Sequence, residues 1–306
     1  MKTLLSFLMA MFISLLSPGK HEKEAVLSGQ QDQPPIFNFG IFADAQYCNC
    51  EPSGTRFYRN SLHKLEVAFN AFKEANPDFI LNLGDLIDRD YESFDPVMKI
   101  IASCGIKVYH VAGNHDFSVS QGQKKRVIPL LTGKKGYYSF ERGAFRFIVL
   151  DGNEVSTYGP GGRPLTNEAS AFIFRLQSEG EPNGFDWNGG IGTRQLAWLA
   201  DQLEKSSQAR QKVFIVCHFP VWPVNEHNLL NYKEVLDLLN KHDNIIAWLN
   251  GHNHAGNYGN TNMIHFLTFK GMVETEDTGS FAIIEVYGNK LWIKGYGRER
   301  SMILAY

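Results

Sequence analysis

Charge of one sign is not in excess in this sequence: 30 lysines and arginines stand against 32 aspartates and glutamates, a formal net charge of −2. That balance gives no bulk electrostatic pull toward nucleic acid or an anionic membrane, so no nucleic-acid polymer is expected as a partner. Cysteine is scarce, with four in 306 residues. Cys104 and Cys217 lie in apolar surroundings and read as buried thiols. Cys48 and Cys50 stand one residue apart, a spacing at which a mutual bond is strained, and they lack the second pair that a structural zinc site needs. No disulfide framework and no structural zinc are therefore expected. Proline is outnumbered by glycine, 12 against 28, which favours many tight loops over a disordered chain. There is no internal repeat of fixed period and no second core with its own linker.

Long apolar runs are absent except at the N-terminus. Lys2 is followed by an apolar stretch from Leu4 to Leu16, broken only by serines, and then by Ser17-Pro18-Gly19. The stretch is too short for a transmembrane helix and matches a secretory signal peptide over residues 1–19. No cysteine near its end offers a lipid anchor. Residues 20–35, with His21-Glu22-Lys23-Glu24 and Gln30-Gln31-Asp32-Gln33, read as a polar tether. The protein is expected to be exported to a periplasm or medium, with no transmembrane anchor. Nothing in the sequence fixes an oligomeric state.

Past the tether the chain alternates strand and helix. Ile36 to Phe42 reads as a buried strand, and Thr55 to Ala75 carries apolar residues at helical spacing up to a stop at Asn76-Pro77. Phe79 to Leu83 is the next strand, Phe94 to Cys104 a helix, and Ile106 to Val111 a third strand. This order predicts βαβ units and a sheet that starts parallel. A hairpin is expected over 136–150, a Gly-rich active-site wall with one helix (Glu168 to Leu176) over 152–192, and a helix over Thr193 to Ser206. Val213 to Cys217 and Ile245 to Leu249 read as further strands, with a helix over Leu229 to Leu239 between them. The tail reads as antiparallel strands over 264–269, 280–287 and 290–296.

Five of these strands end in residues that ligate metals: Asp44 and Gln46, Asp85, Asn114, His218, and His252 with His254. Singly, each suits a helix cap or a turn. Together, at successive strand ends where open α/β sheets place their ligands, they fit two divalent cations. Asp85 would bridge them, Asp44, Gln46 and His254 would complete one position, and Asn114, His218 and His252 the other. Two such ions clamp a phosphate ester and stabilise both the attacking and the leaving oxygen of an in-line displacement.

Asp-x-Gln, Gly-Asp-x-x-Asp, Gly-Asn-His-Asp, a histidine after a strand, and Gly-His-x-His, in that order from Asp44 to His254, resemble the blocks of the calcineurin-like metallophosphoesterases. The resemblance implies two packed mixed β-sheets flanked by helices over residues 36–306, and a hydrolase of phosphoric esters or anhydrides. It also implies that His115 is the acid beside the scissile bond, with Asp116 orienting it and Asp88 farther out. Gln46 stands where most of the family has histidine. That oxygen donor hardens the set and favours manganese or magnesium over zinc, with iron also admissible. Asp-x-Gln resembles the manganese-dependent ADP-ribose/CDP-alcohol diphosphatase subgroup, as do Gly54-Thr55-Arg56, Tyr58-Arg59, Asn188-Gly189-Gly190, Pro220-Val221-Trp222-Pro223 and Gly271-Met272-Val273-Glu274-Thr275.

The substrate expected from this resemblance is a small nucleotide, cleaved at the pyrophosphate of a nucleoside diphosphate derivative such as ADP-ribose or CDP-choline. Arg56 and Arg59 are candidates for neutralising phosphate charge, and Trp222 or Tyr58 for stacking a base, although wall packing is the simpler role for either ring. Rival readings are a phosphomonoesterase or cyclic-nucleotide phosphodiesterase on the same metal site, and an exported binding protein that has lost the chemistry.

Overall fold

Phe37, Phe39 and Ile41 alternate with Asn38, Gly40 and Phe42 along the first strand, β1 (Phe37–Phe42). Successive side chains of a strand point to opposite faces, so the first set enters the space between two sheets and Phe42 faces a helix layer. The structure is a computed structural model and describes residues 33–133 and 135–306. The signal peptide read over 1–19 and nearly all of the tether lie outside the described residues. Pro35–Tyr306 forms one compact unit.

The other strands are β2 (Phe79–Asn82), β3 (Val108–His110), β4 (Tyr138–Arg142), β5 (Phe145–Val149), β6 (Lys212–Val216), β7 (Ile245–Asn250), β8 (Asn257–Thr261), β9 (Ile264–Thr268), β10 (Ser280–Val286), β11 (Lys290–Gly297) and β12 (Met302–Ala305). One sheet has the order β12-β11-β10-β1-β2-β3 and the other β4-β5-β6-β7-β9-β8. In the first, β1, β2 and β3 are parallel and the rest antiparallel. In the second, β5, β6, β7 and β9 are parallel, and β4 and β8 flank them antiparallel. The expected pair of packed mixed sheets is present.

Phenylalanine fills the space between the sheets. Phe39 stacks on Phe79 with centroids 5.2 Å apart, Phe147 stacks on Phe214 at 4.8 Å, and Phe39 meets Phe147 edge-on at 5.6 Å. Helices α1 (Ser61–Ala75), α2 (Phe94–Ser103) and α3 (Lys124–Thr132) cover the outer face of the first sheet through Leu65, Phe69, Phe72, Val97 and Val127. Helices α5 (Thr193–Gln208) and α6 (Tyr232–Leu239) cover the second through Leu199, Leu203, Val235 and Leu239. Ahead of these two in the chain, α4 (Gly162–Glu179) packs Ala169 and Leu176 against Val155 and Leu230.

Several expected elements shift. Helix α1 starts at Ser61, not Thr55, because Arg56 forms a β-bridge with Glu274 and Gly54 turns the chain at φ 59°. Helix α4 is twice the expected length, with Pro164 in its first turn, where its missing N–H costs nothing. Strand β9 is parallel to β7, not part of an antiparallel tail. A disulfide does join Cys48 to Cys50: their Cα atoms are 5.2 Å apart, within bridging range. Cys217 is a buried free thiol, while the free Cys104 is only partly buried.

Candidate metal centre

The parallel strands deliver their C-terminal ends to one place, and the backbone there is knitted across strands. Asp44 N–H donates to the Gly84 carbonyl at 3.1 Å, Gln46 N–H to Asp85 at 2.8 Å, Gly251 N–H to His218 at 3.1 Å and Val273 N–H to Asp44 at 2.9 Å. Asp44, Gln46, Asp85 and His252 all have positive φ, 54°, 44°, 55° and 67°. Left-handed backbone at a non-glycine residue is uncommon and persists where the surroundings over-determine it. Four such residues in one cluster mark a site built for its side-chain directions. The close approach also explains Gly113 and Gly251: a Cβ at Gly113 would overlap the Asp85 carboxylate, and one at Gly251 would meet Asp44 Oδ2 at 2.5 Å.

All seven expected ligand residues converge. Asp85 Oδ2 lies 3.1 Å from Gln46 Nε2 and 3.3 Å from His218 Nε2. His218 Nε2 is also 3.1 Å from Asn114 Oδ1. His254 Nε2 lies 3.6 Å from Asp44 Oδ1 and 3.1 Å from Gln46 Nε2. Asp85, His218 and His252 bring donor atoms within 4.8 Å of one another. Asp85 stands at the centre of these contacts, where a bridging carboxylate belongs, and Asp44, Gln46, Asp85 and His218 are fully buried.

Two features test whether the residues fit metal ions. Gln46 Oε1 is buried without a hydrogen-bond partner, an orphan that a cation would satisfy. The histidines are also presented as ligands: His218 Nδ1 is bonded to the Leu83 carbonyl at 2.8 Å and His254 Nδ1 to Glu274 Oε1 at 2.7 Å. Each leaves Nε2 facing the carboxylates, the arrangement in which outer partners orient metal-binding imidazoles. The residues fit two cations: Asp44, Gln46, Asp85 and His254 could hold one, and Asp85, Asn114, His218 and His252 the other.

Electrostatics follow from this burial. Burial opposes a charge on His218, but Asp85 outweighs it and lifts the imidazole to about 9. Burial likewise opposes a charge on His254, and its bonds to Asp44 and Glu274 lift it to about 9. Burial would raise Asp85, yet His218 and His115 hold its carboxyl well below the usual range. His252 is pushed well down by burial and by His218.

His115 reaches the site differently. Its backbone N–H donates to Asp85 Oδ1 at 2.8 Å, and its Nδ1 is 3.1 Å from Asp88 Oδ1. Burial opposes a charge on this ring, but Asp85 and Asp88 prevail and hold it above the usual histidine value. The partner that orients His115 is therefore Asp88. Asp116 does not orient it: one oxygen accepts from Gly113 and Asp85 N–H at 2.9 and 3.1 Å, the other from Leu86 and Ile87 N–H at 2.9 and 3.2 Å. Asp116 is adjacent to His115 in sequence, but its carboxylate is fixed under the loop that carries Asp85.

A cavity of about 350 Å³ opens over these residues, lined by Gln46, Asn114, His115, His252 and His254 together with Arg56, Trp187 and His227. Arg56 lines it as the sequence leads one to expect, with Nε 3.9 Å from Glu274 Oε1. Arg59 does not: its guanidinium is taken up by Asn49 Oδ1 at 2.8 Å and Glu51 Oε1 at 3.0 Å, away from the cavity lining. Trp222 and Tyr58 are also outside that lining, the latter buried beside Cys48 and Val273. The aromatic face in the cavity is Trp187, 39% exposed and stacked on Phe185 at 4.1 Å. Neither Trp187 nor His227 belongs to a motif, so only their place in the Gly- and Asn-rich loops could have flagged them. A second cavity of about 380 Å³, lined by Tyr258, Lys270 and Arg300, contains none of the converging residues.

Acids, amides and imidazoles gathered at the strand ends of two packed sheets are the equipment of a metal-dependent phosphoester hydrolase. A model of the calcineurin-like phosphoesterase family matches residues 37–256, and the chain belongs to that family. It is 31% identical over 338 residues to the manganese-dependent ADP-ribose/CDP-alcohol diphosphatase of Xenopus laevis, covering 92% of this chain and 94% of that protein. To the protein of the same description from Arabidopsis thaliana it is 30% identical, covering 89% and 98%. The crystal structure of a dimetal phosphatase from Danio rerio matches with a TM-score of 0.80 at 26% identity, covering 89% of this chain and 99% of that one.

Proposed function

We propose that this hydrolase cleaves the pyrophosphate bond of nucleoside diphosphate derivatives, with ADP-ribose and CDP-alcohols as the substrate class and manganese as the metal. The observation that carries the reading is the composition of one cavity. It sets an exposed indole face, Trp187, beside Arg56 and the metal-type donors Gln46, Asn114, His252 and His254. A diphosphate needs the donors and the arginine, and a nucleobase needs the ring. The relatives described as manganese-dependent ADP-ribose/CDP-alcohol diphosphatases support the substrate class. Gln46, which adds an oxygen to Asp44 and Asp85 at one position, supports the metal.

Two divalent ions, when bound, polarise phosphoryl oxygens and lower the pKa of water at neutral pH. The chain's own residues do the rest. Arg56 balances charge on the phosphate that is not attacked, and Glu274 anchors it. His115, with Nδ1 on Asp88, offers Nε2 as the ring nitrogen for the departing phosphate.

The test is turnover with Mn²⁺ of CDP-choline, ADP-ribose, cyclic AMP and p-nitrophenyl phosphate. Pyrophosphate substrates should be cleaved best, each yielding a nucleoside monophosphate. Efficient cleavage of the monoester or the cyclic diester alone would replace this reading with a phosphomonoesterase or a phosphodiesterase.

A further inference from the structure

Asn188 stands at the junction of three segments. Its two amide N–H groups donate to the carbonyl oxygens of Asn183 and Glu226, at 3.0 and 2.7 Å. Carbonyl oxygens only accept, so the amide cannot turn over, and Asn188 Oδ1 must be the atom that faces His252 Nε2 at 2.9 Å. An oxygen that only accepts requires a proton on the nitrogen opposite. His252 therefore carries a proton on Nε2, and in the neutral ring Nδ1 keeps the lone pair. His218 and His254 have the opposite arrangement, each bonded outward through Nδ1.

The same amide ties together the two loops that wall the cavity. Trp187 precedes Asn188, and His227 follows Glu226. Asn183 and Asn231 continue the seam: Asn183 Nδ2 donates to Leu229 O at 2.7 Å, and Asn231 bonds both the N–H and the carbonyl of Ile191, at 3.0 and 2.8 Å. His227 in turn sits edge-on to His252, with centroids 5.3 Å apart.

We propose that Asn188 is a positioning residue: it fixes His252 as the tautomer that presents Nδ1 to a divalent cation, and it holds that ligand in register with the Trp187 and His227 wall. The inference rests on the dimetal reading of the site. It assigns to the Asn-Gly-Gly loop a role in metal binding beyond forming a wall.

The test needs no turnover. In the full chain without added metal, long-range ¹⁵N–¹H correlation of the histidine rings, with the His252 signals assigned through His252→Gln, should show the His252 proton on Nε2. A proton on Nδ1 overturns the proposal. In Mn²⁺ titration calorimetry, Asn188→Ala should weaken one of two binding events by about 10–100-fold, the usual cost of losing an outer partner of a metal ligand, and leave the other unchanged. Asn183→Ala loosens the same seam without touching His252, so it should lower the melting temperature and keep both binding events. Wild-type affinity in Asn188→Ala, or an equal loss in Asn183→Ala, overturns the proposal. A wild-type chain that takes up no Mn²⁺ would instead refute the dimetal reading.

Discussion

His115 and Asp116 show how neighbours in sequence part company in space. The imidazole enters the cavity and is oriented from Asp88, while the Asp116 carboxylate accepts four backbone N–H groups beneath it. The division bears on chemistry. A phosphate leaving group needs little protonation, whereas an alkoxide needs a good acid. If His115 steadies charge on the departing phosphate instead of protonating it, His115→Ala should cost alkyl phosphodiester cleavage about 10²–10⁴-fold in kcat and pyrophosphate cleavage distinctly less. Equal losses on both would contradict that role. Trp187 makes a separate prediction. Stacking on an aromatic face contributes about 1–3 kcal/mol per base, so Trp187→Ala should raise KM for nucleotide substrates about 5–150-fold, by that conversion, and leave inorganic pyrophosphate, which has no ring, unaffected. A matching rise for both substrates would remove the ring from base binding.

Strand ends make the donors legible, because Asp44, Gln46, Asp85, Asn114, His218, His252 and His254 each follow an apolar run, and parallel strands bring such ends together. What stays illegible depends on contacts distant in sequence. Nothing local says that Glu274 holds His254 across 20 residues, or that Asn188 meets His252 across 64. Arg59 misleads because a guanidinium beside a helix start pairs equally well with the Glu51 loop or with phosphate. Strand β8, Asn257–Thr261, lacks apolar alternation and exists only because β9 offers it an edge. Helix α3 escapes a reading by pattern because Pro129 lies within it.

The end of β5 supplies a prediction at the same scale. Just past it, the partly exposed Asp151 accepts from Asn153 N–H at 3.0 Å and is raised from 3.8 to about 6, chiefly by desolvation. Between those values the folded chain binds more protons than the unfolded one, so stability falls as pH rises through the window, and the whole deficit is present above it. A rise of that size sets an upper bound of roughly 3 kcal/mol on the deficit. Asp151→Asn should therefore melt higher than the parent at pH 8 and level with it near pH 4. A pH-independent difference would contradict this.

At the scale of the whole molecule, the Pro35–Tyr306 unit contains every element that the site needs, and no described helix is long and apolar enough to cross a membrane. The apolar N-terminal stretch is then open to a separate role, and export is our proposal for it. Mass spectrometry of protein recovered from the medium or periplasm should find an N-terminus near residue 19, while an intact Met1 on a chain retained in the cytoplasm would refute export.

The central claim is that strand ends from both sheets assemble a pair of metal positions bridged by Asp85. Its most direct test is Mn²⁺ uptake by the full chain, read together by metal content and by the electron paramagnetic resonance signature of a coupled pair. The expected result is two ions per chain with spin coupling, and loss of the coupling in Asp85→Asn. A single uncoupled ion in the wild-type chain, or coupling that survives in Asp85→Asn, would contradict it.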